Sequence, residues 1–340
     1  MNDYSQPDFN PGRTYTDVVQ DTAEVDEFET HRGHLMSVGY RLTGSVADAE
    51  DAVQEAWLRL HAADAGAIVD LRAWLTTVVG RICLDHLRSA AVRRESYVGQ
   101  WLPEPIVTPV TGTSPADPLD VVVRSEDARI AAMVVLDTLG PDQRTAFVLH
   151  DGFGVPFDTI AEVLGTSVAG SRQLASRARR AVAAADVPPP DPDHDAAVGR
   201  LLVAMASGDL QAVLDALHPD ALVIGDAGGT TRTAVNVIHG ADKFARFFLG
   251  LARRYGEQSF LALEPAMVNG RLGIYSHGSP GDETHPGFPP RAGGFTVRDG
   301  KVWAAYDFAN PAKLSGVRRA SPPPSNPPVD PPTAPGTNPC

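Results

Sequence analysis

Ser171, Arg172, Gln173, Ser176, Arg177 and Arg180 recur at helical spacing along one basic stretch of the chain. Arginine and glutamine can bond guanine and adenine edges while further cations hold phosphates, so this set suits the major groove of DNA. Such phosphate contacts supply affinity and salt dependence, and base contacts supply preference. A solvated surface helix would carry the same arginines. Trp74 beside Arg72 forms a second set, because an aromatic ring and a guanidinium can stack on unpaired bases. At this spacing Trp74 also suits core packing. Asp85, His86 and Arg88 follow on an outward stripe of the same segment. The third set, Asp48, Glu50, Asp51, Gln54 and Glu55, is acidic and lacks metal-ligand spacing. Beside two basic segments it reads as a face for docking a protein. Asp226, His239 and Asp307 are candidate pocket residues with acid–base capacity. They equally suit strand ends and loops, and neither a nucleophile nor a metal site accompanies them.

The elements that must hold these sets can be read from periodicity and punctuation. Phe157, Ile160, Ala161 and Leu164 make one inward face, Gly165 permits a sharp turn, and Ser167 caps a longer basic helix. That is the layout of a helix-turn-helix. Ser45 with Asp48 three residues on predicts a capped acidic helix over 45–60. Asp70 is a cap for a helix over 71–94. Prolines at 103, 105, 109, 115 and 118 exclude a long helix and mark a linker. A second Pro/Asp linker covers 187–195. Beyond it, two or three helices followed by short alternating strands predict an α+β domain.

With 340 residues the chain has room for two or three domains. Its net charge of −13 argues against nucleic-acid binding only if the charge is spread evenly, and the arginines are clustered. Two cysteines, Cys83 and Cys340, form no disulfide framework or metal motif and suit a reducing compartment. No signal-peptide core and no apolar run of about 18 residues is present, so a cytoplasmic protein is expected.

The strings GSVADAEDAVQEAWLRL, LRAWLTTVVGRICLDHLRS and LASRARRAV together resemble the bacterial extracytoplasmic-function (ECF) sigma factors. WLPEP at 101–105 resembles the linker signature of the sigma-J-like subgroup, which carries a fused SnoaL-like, NTF2-like domain. DAGGTTR at 226–232 and NPAKL at 310–314 stand where that subgroup has related runs, departing at Ala227, Thr230, Thr231 and Ala312.

The resemblance implies a multidomain fold. It comprises a disordered arm (1–25), a region 2 helical bundle (26–95), a WLPEP linker (96–125) and a region 4 helix-turn-helix (126–186). A linker (187–195), an α+β SnoaL-like cone (196–315) and a Pro-rich disordered tail (316–340) follow. It implies a promoter-specificity subunit, not an enzyme, without cofactor or metal. Its partners are core RNA polymerase, promoter DNA and its own C-terminal domain. Asp48, Glu50, Asp51, Gln54 and Glu55 would dock on the clamp of the largest polymerase subunit. Arg72, Trp74, Asp85, His86 and Arg88 would serve the −10 element, and the Ser171–Arg180 set the −35 element. Trp101, Leu102, Pro103, Glu104 and Pro105 would form a regulatory linker with Trp101 as buried anchor. A small-molecule ligand of the cone stays open. Two other readings are a polyketide-cyclase-like enzyme or a ligand-sensing repressor on a DNA-binding module. The acidic docking helix speaks against the repressor.

Overall fold

The computed structural model of the chain describes residues 15–63, 68–94, 97, 99–110, 118–124, 128–256, 263–314 and 317. Three helices open the fold: α1 (Tyr15–Thr43), α2 (Val46–His61) and α3 (Leu71–Arg94). Their caps follow the sequence signals. Ser45 accepts from the Asp48 amide, and Asp70 accepts from the Ala73 amide at 2.9 Å. α1 begins at Tyr15, well inside the expected arm, and no proline or glycine interrupts the chain from Arg13 to Arg32. Residues 1–14 and the greater part of the Pro-rich tail lie outside the described residues.

The linker contributes structure of its own. It contains a short strand, β1 (Val107–Pro109), and a helix, α4 (Pro118–Val123), which packs on α1. The second helical domain holds α5 (Ile130–Asp137), α6 (Pro141–Phe147), a π-helical turn (Val148–Gly152), α7 (Phe157–Leu164) and α8 (Val168–Ala184). The C-terminal domain holds α9 (His194–Ser207), α10 (Leu210–Ala216), β2 (Leu217–Asp226), β3 (Ile238–His239) and α11 (Ala241–Tyr255). It closes with β4 (Glu264–Val268), β5 (Arg271–Ser276), β6 (Arg291–Arg298) and β7 (Lys301–Phe308).

The sheet runs β1-β4-β5-β6-β7-β2-β3, antiparallel except for β2 beside β7. Strand β1 of the linker therefore forms its edge, pairing Val107 with Val268 and Pro109 with Ala266. A proline is tolerated there because an edge strand need not donate on both sides. One sheet face packs under α9–α11 through Val223, Phe244, Ile274 and Ala305. The other packs against the linker and α5, with Leu102, Val107, Ile130, Tyr306 and Phe308 in one cluster.

The two helical domains share one apolar core. Leu35, Leu42 and Leu75 from the first join Leu149, Ile160 and Ala175 from the second. A Cβ added at Gly80 of α3 would come within 3.1 Å of Leu149. Arg144 of α6 is almost fully buried at this seam. Its Nε donates to the Arg41 carbonyl at 3.0 Å, in the last turn of α1, and its Nη1 pairs with Asp137 at 2.6 Å. A cation at a helix C-terminus is favoured by the axial dipole.

Candidate nucleic-acid interface and interdomain junction

α7 and α8 form the expected helix-turn-helix. Gly165 takes the left-handed conformation (φ 64°) that lets the chain turn, and Ser167 caps α8 through the Gly170 amide. Arg172, Gln173, Ser176, Arg177 and Arg180 are all exposed on the outer face. Ser171 is the exception. It is fully buried, and its hydroxyl donates between the carbonyls of Phe157 and Val168, stitching α8 to the start of α7. It lies on the inner stripe with Ala175 and Ala178, so it serves the packing of the motif and cannot reach DNA.

On α3, Arg72, Asp85 and Arg88 are exposed, while Trp74 and His86 are half-buried. Trp74 packs against the helical core. Arg88 reaches across to Asp142 of α6 at 3.0 Å, an exposed pair worth little on its own. Arg72 donates to His34 Nδ1 at 3.1 Å, which leaves the His34 Nε2 proton for Thr76 Oγ1 at 2.9 Å. Burial, then the guanidinium of Arg72, pulls the His34 imidazole from 6.5 down to about 4. The unfolded chain binds this proton near 6.5 and the folded one only near 4. Stability is therefore retained above pH 6.5 and declines as pH falls through that window. In denaturant titrations at pH 7 and pH 4.5, His34→Gln should lose less stability on acidification than the parent chain.

On α2, Glu50, Asp51 and Gln54 are exposed, and Asp48 and Glu55 half-exposed, with Glu55 paired to Arg59 at 3.0 Å. Leu58 stands on the same helix, 56% exposed, a hydrophobic residue that sequence patterning passes over.

The densest polar site lies where the linker meets the C-terminal domain. Asp226 is fully buried and accepts from the Leu102 amide (2.9 Å), the Gly228 amide (3.2 Å), Lys313 Nζ (2.6 Å) and the Tyr97 hydroxyl. Lys313 Nζ also donates to the Leu102 carbonyl and sits 3.3 Å from the centre of the Trp101 ring. Asn310 donates to Tyr97 at 2.8 Å. The WLPEP run, the DAGGTTR run and the NPAKL run thus converge on one carboxylate. Leu102 is the deeply buried anchor, and Trp101 is only half-buried as a lid over the ammonium. Glu104 is buried too. It caps α2 through the Val46 amide (2.8 Å) and the Ser45 hydroxyl, and burial raises its pKa despite those bonds.

Asn269, in the β4–β5 turn, makes a second node. Its amide group donates to the Tyr40 hydroxyl (2.8 Å) and the Ala128 carbonyl (2.6 Å) and accepts from the Ile106 amide (2.9 Å). One side chain of the C-terminal domain thereby holds α1, the linker and the approach to α5. The expected trio Asp226, His239 and Asp307 does not converge. In the sheet register Asp226 lies beside Phe308, so Asp226 and Asp307 point to opposite faces. Asp307 is bonded to Thr233 at 2.7 Å and paired with Arg291 at 3.4 Å, and His239 is exposed. Both aspartates are consumed by structural partners, which leaves no acid–base pair aimed at a common substrate.

Comparison with known proteins bears directly on this architecture. A Sigma-70 region 2 model matches residues 28–93, and a Sigma-70, region 4 model matches 129–182. The ECF RNA polymerase sigma factor SigJ of Mycobacterium tuberculosis is 58% identical over 306 residues, covering 88% of this chain and 97% of that protein. The chain belongs to the ECF sigma factor family. The probable ECF sigma factor SigI of the same species is 38% identical over 64% of this chain and 72% of its own length. The crystal structure of M. tuberculosis SigJ superposes with a TM-score of 0.75 at 57% identity, covering 86% of this chain and 99% of that one. The correspondence therefore extends through the C-terminal SnoaL-like domain. As a sigma factor the chain is not an enzyme. It binds core RNA polymerase and promoter DNA and directs transcription initiation. The region 2 match runs from Phe28 of α1 into α3, and the region 4 match covers α5 to most of α8. Among the described residues, no helix is long and apolar enough to cross a membrane.

Proposed function

We propose that this sigma factor rests in a closed form, with regions 2 and 4 packed together and held there by the C-terminal domain. The observation that carries this reading is the edge strand β1, by which the linker between the two regions is built into the C-terminal sheet. The Asp226 and Asn269 nodes reinforce it. Elements at −10 and −35 stand roughly 85 Å apart on duplex DNA at about 3.4 Å per step. Two domains in side-chain contact cannot span that distance, so the α3–α6 and α3–α7 seam must part for both elements to be read. Closure leaves Arg72, Asp85, Arg88 and the outer face of α8 exposed and withholds their spacing instead.

In this reading Arg172, Gln173, Ser176, Arg177 and Arg180 contact the −35 element. Arg72, Trp74, Asp85, His86 and Arg88 serve the −10 element, where Trp74 must leave its core contact to stack on a base. Asp48, Glu50, Asp51, Gln54 and Glu55, joined by Leu58, dock on the clamp of the largest polymerase subunit. The protein works in the cytoplasm with core polymerase, and residues 101–105 act as a regulatory linker. In this reading the helical bundle starts at Tyr15, and β1 and α4 belong to the linker.

Transcription in vitro with purified core polymerase tests the reading. Full-length chain is compared with chains ending near Arg319 and near Asp195. Loss of the tail alone should leave output unchanged, and loss of the C-terminal domain should raise it at limiting core polymerase. Equal output from all three would remove the closed resting form. Arg177→Ala in the full chain should weaken binding of a −35 duplex and lower its salt slope by about one. An unchanged slope would place Arg177 off the phosphates.

A further inference from the structure

The Asn269 side chain is buried, and its hydrogen-bond partners all lie outside the C-terminal domain. Tyr40 belongs to region 2, Ile106 to the linker and Ala128 to the approach to region 4. The backbone is held from the same side, since the Asn269 amide donates to the Ile106 carbonyl at 2.8 Å. The next residue, Gly270, has φ 76°, and a Cβ added to it would come within 2.5 Å of the Val123 carbonyl oxygen of α4. Glycine is therefore the residue this seat accepts, which fixes the Asn-Gly pair in the β4–β5 turn.

Asparagine is a chemically labile side chain, and a glycine successor puts nothing in the way of the backbone nitrogen that attacks it. Here the Gly270 nitrogen would attack Asn269 Cγ. The N–Cγ bond forms, the Cγ–Nδ2 bond breaks, and the proton lost by the Gly270 nitrogen leaves with Nδ2 as ammonia. The cyclic imide then takes up a water molecule and opens to aspartate or to isoaspartate, in which the main chain runs through Cγ. To reach the Gly270 nitrogen, Cγ must swing away from Tyr40, Ala128 and Ile106 together. The reaction therefore proceeds from a locally opened state, and its rate follows the population of that state. The other asparagines among the described residues lack this combination. Asn236 is exposed but precedes Val237, whose branched side chain crowds the nitrogen, and Asn310 precedes Pro311, whose nitrogen carries no hydrogen.

We propose that Asn269 is a covalent modification site, protected while the junction is closed and spontaneously deamidated once it opens. Either product ends the node. Aspartate turns a carboxylate oxygen toward the Ala128 carbonyl in place of a donor, and isoaspartate adds a backbone methylene to a tight turn. A molecule that stays open long enough is thereby converted into one that cannot close again, and its release becomes irreversible. The conversion itself stands on the turn and its partners. Its use as a one-way release rests on the closed resting form.

Ageing the full-length chain at mildly alkaline pH, followed by peptide mapping, tests the proposal. The tryptic peptide 255–271 carries Asn269, and its fragment masses locate the amide-to-acid change. The same chain unfolded in urea gives the unrestrained rate. In the folded chain Asn269 should convert about a hundredfold or more slowly than in urea, because its buried hydrogen bonds must open together. Tyr40→Phe removes one of those partners and should speed conversion about fivefold or more. Bound to core polymerase on a promoter, the parent chain should approach the rate seen in urea. The converted chain and Asn269→Asp should both give higher promoter output than fresh chain at limiting core polymerase. The proposal is overturned by equal rates in the folded and unfolded chain, or by a rate indifferent to Tyr40→Phe. Thermal unfolding reports whether Tyr40→Phe is folded, and the polymerase-bound parent chain decides if it is not. Conversion that Tyr40→Phe accelerates and polymerase binding does not would leave the modification site standing and remove the closed resting form.

Discussion

Asp226→Ala is expected to destabilise the chain by about 3–5 kcal/mol, the cost of leaving one partner of a buried ion pair without its counter-charge. Lys313 would keep the Leu102 carbonyl and the Trp101 ring but lose its carboxylate, and the Leu102 amide would lose its acceptor. The cost should appear as a shifted denaturation midpoint with faster hydrogen exchange at Leu102. Lys313→Met alone should be similarly damaging, because it strands the carboxylate. The double variant Asp226→Leu with Lys313→Met should recover part of the loss, since the desolvation of both charges disappears together. Additive losses in that cycle would show that the two side chains do not act as a pair. Each single variant should also raise promoter output at limiting core polymerase, since it weakens the hold on the linker.

The second large effect is expected at Asn269. Asn269→Ala removes two donated hydrogen bonds and one accepted one, all buried, and leaves their partners in the protein interior. An orphaned buried polar group costs about 1–3 kcal/mol. The backbone adds to this, because Asn269 has φ 49°, which alanine adopts reluctantly. A total near 4 kcal/mol is expected. Asn269→Gly separates the terms: it relieves the backbone cost and retains the side-chain loss. Asn269→Asp keeps an acceptor for the Ile106 amide but turns a carboxylate oxygen toward the Ala128 carbonyl, so it should cost at least as much as alanine. Denaturation midpoints of the three variants check this order. An aspartate variant as stable as the parent would remove the Ala128 contact from the account.

These two nodes mark the limit of what the sequence discloses. Local punctuation was legible. Ser45, Asp70, Gly165 and Ser167 sit at the helix ends their residue types predict, and the exposed arginines of α8 follow from periodicity. Asn269 and Gly270, which take positive φ in the β4–β5 turn, were not singled out from the sequence. The role of the Asn269 side chain was not legible, because its partners lie 229, 163 and 141 positions away. Lys313 and Asp226 are 87 positions apart, and each alone reads as an ordinary charged residue near a loop. Strand β1 is only three residues long and lies among prolines, so no periodicity betrays it. Ser171 looked outward because polar residues flank it, whereas α8 turns it onto the inner stripe with Ala175.

The edge strand also has a consequence in time. Ile106 meets Asn269, 163 residues further along the chain. At about 5–20 residues per second, ribosomal synthesis takes roughly 10–30 s to cover that distance. On the proposed closed form, regions 2 and 4 therefore leave the ribosome before the sheet that would restrain them exists. A newborn chain passes through an unrestrained interval, and a message broken after the region 4 codons would encode a sigma factor with no brake.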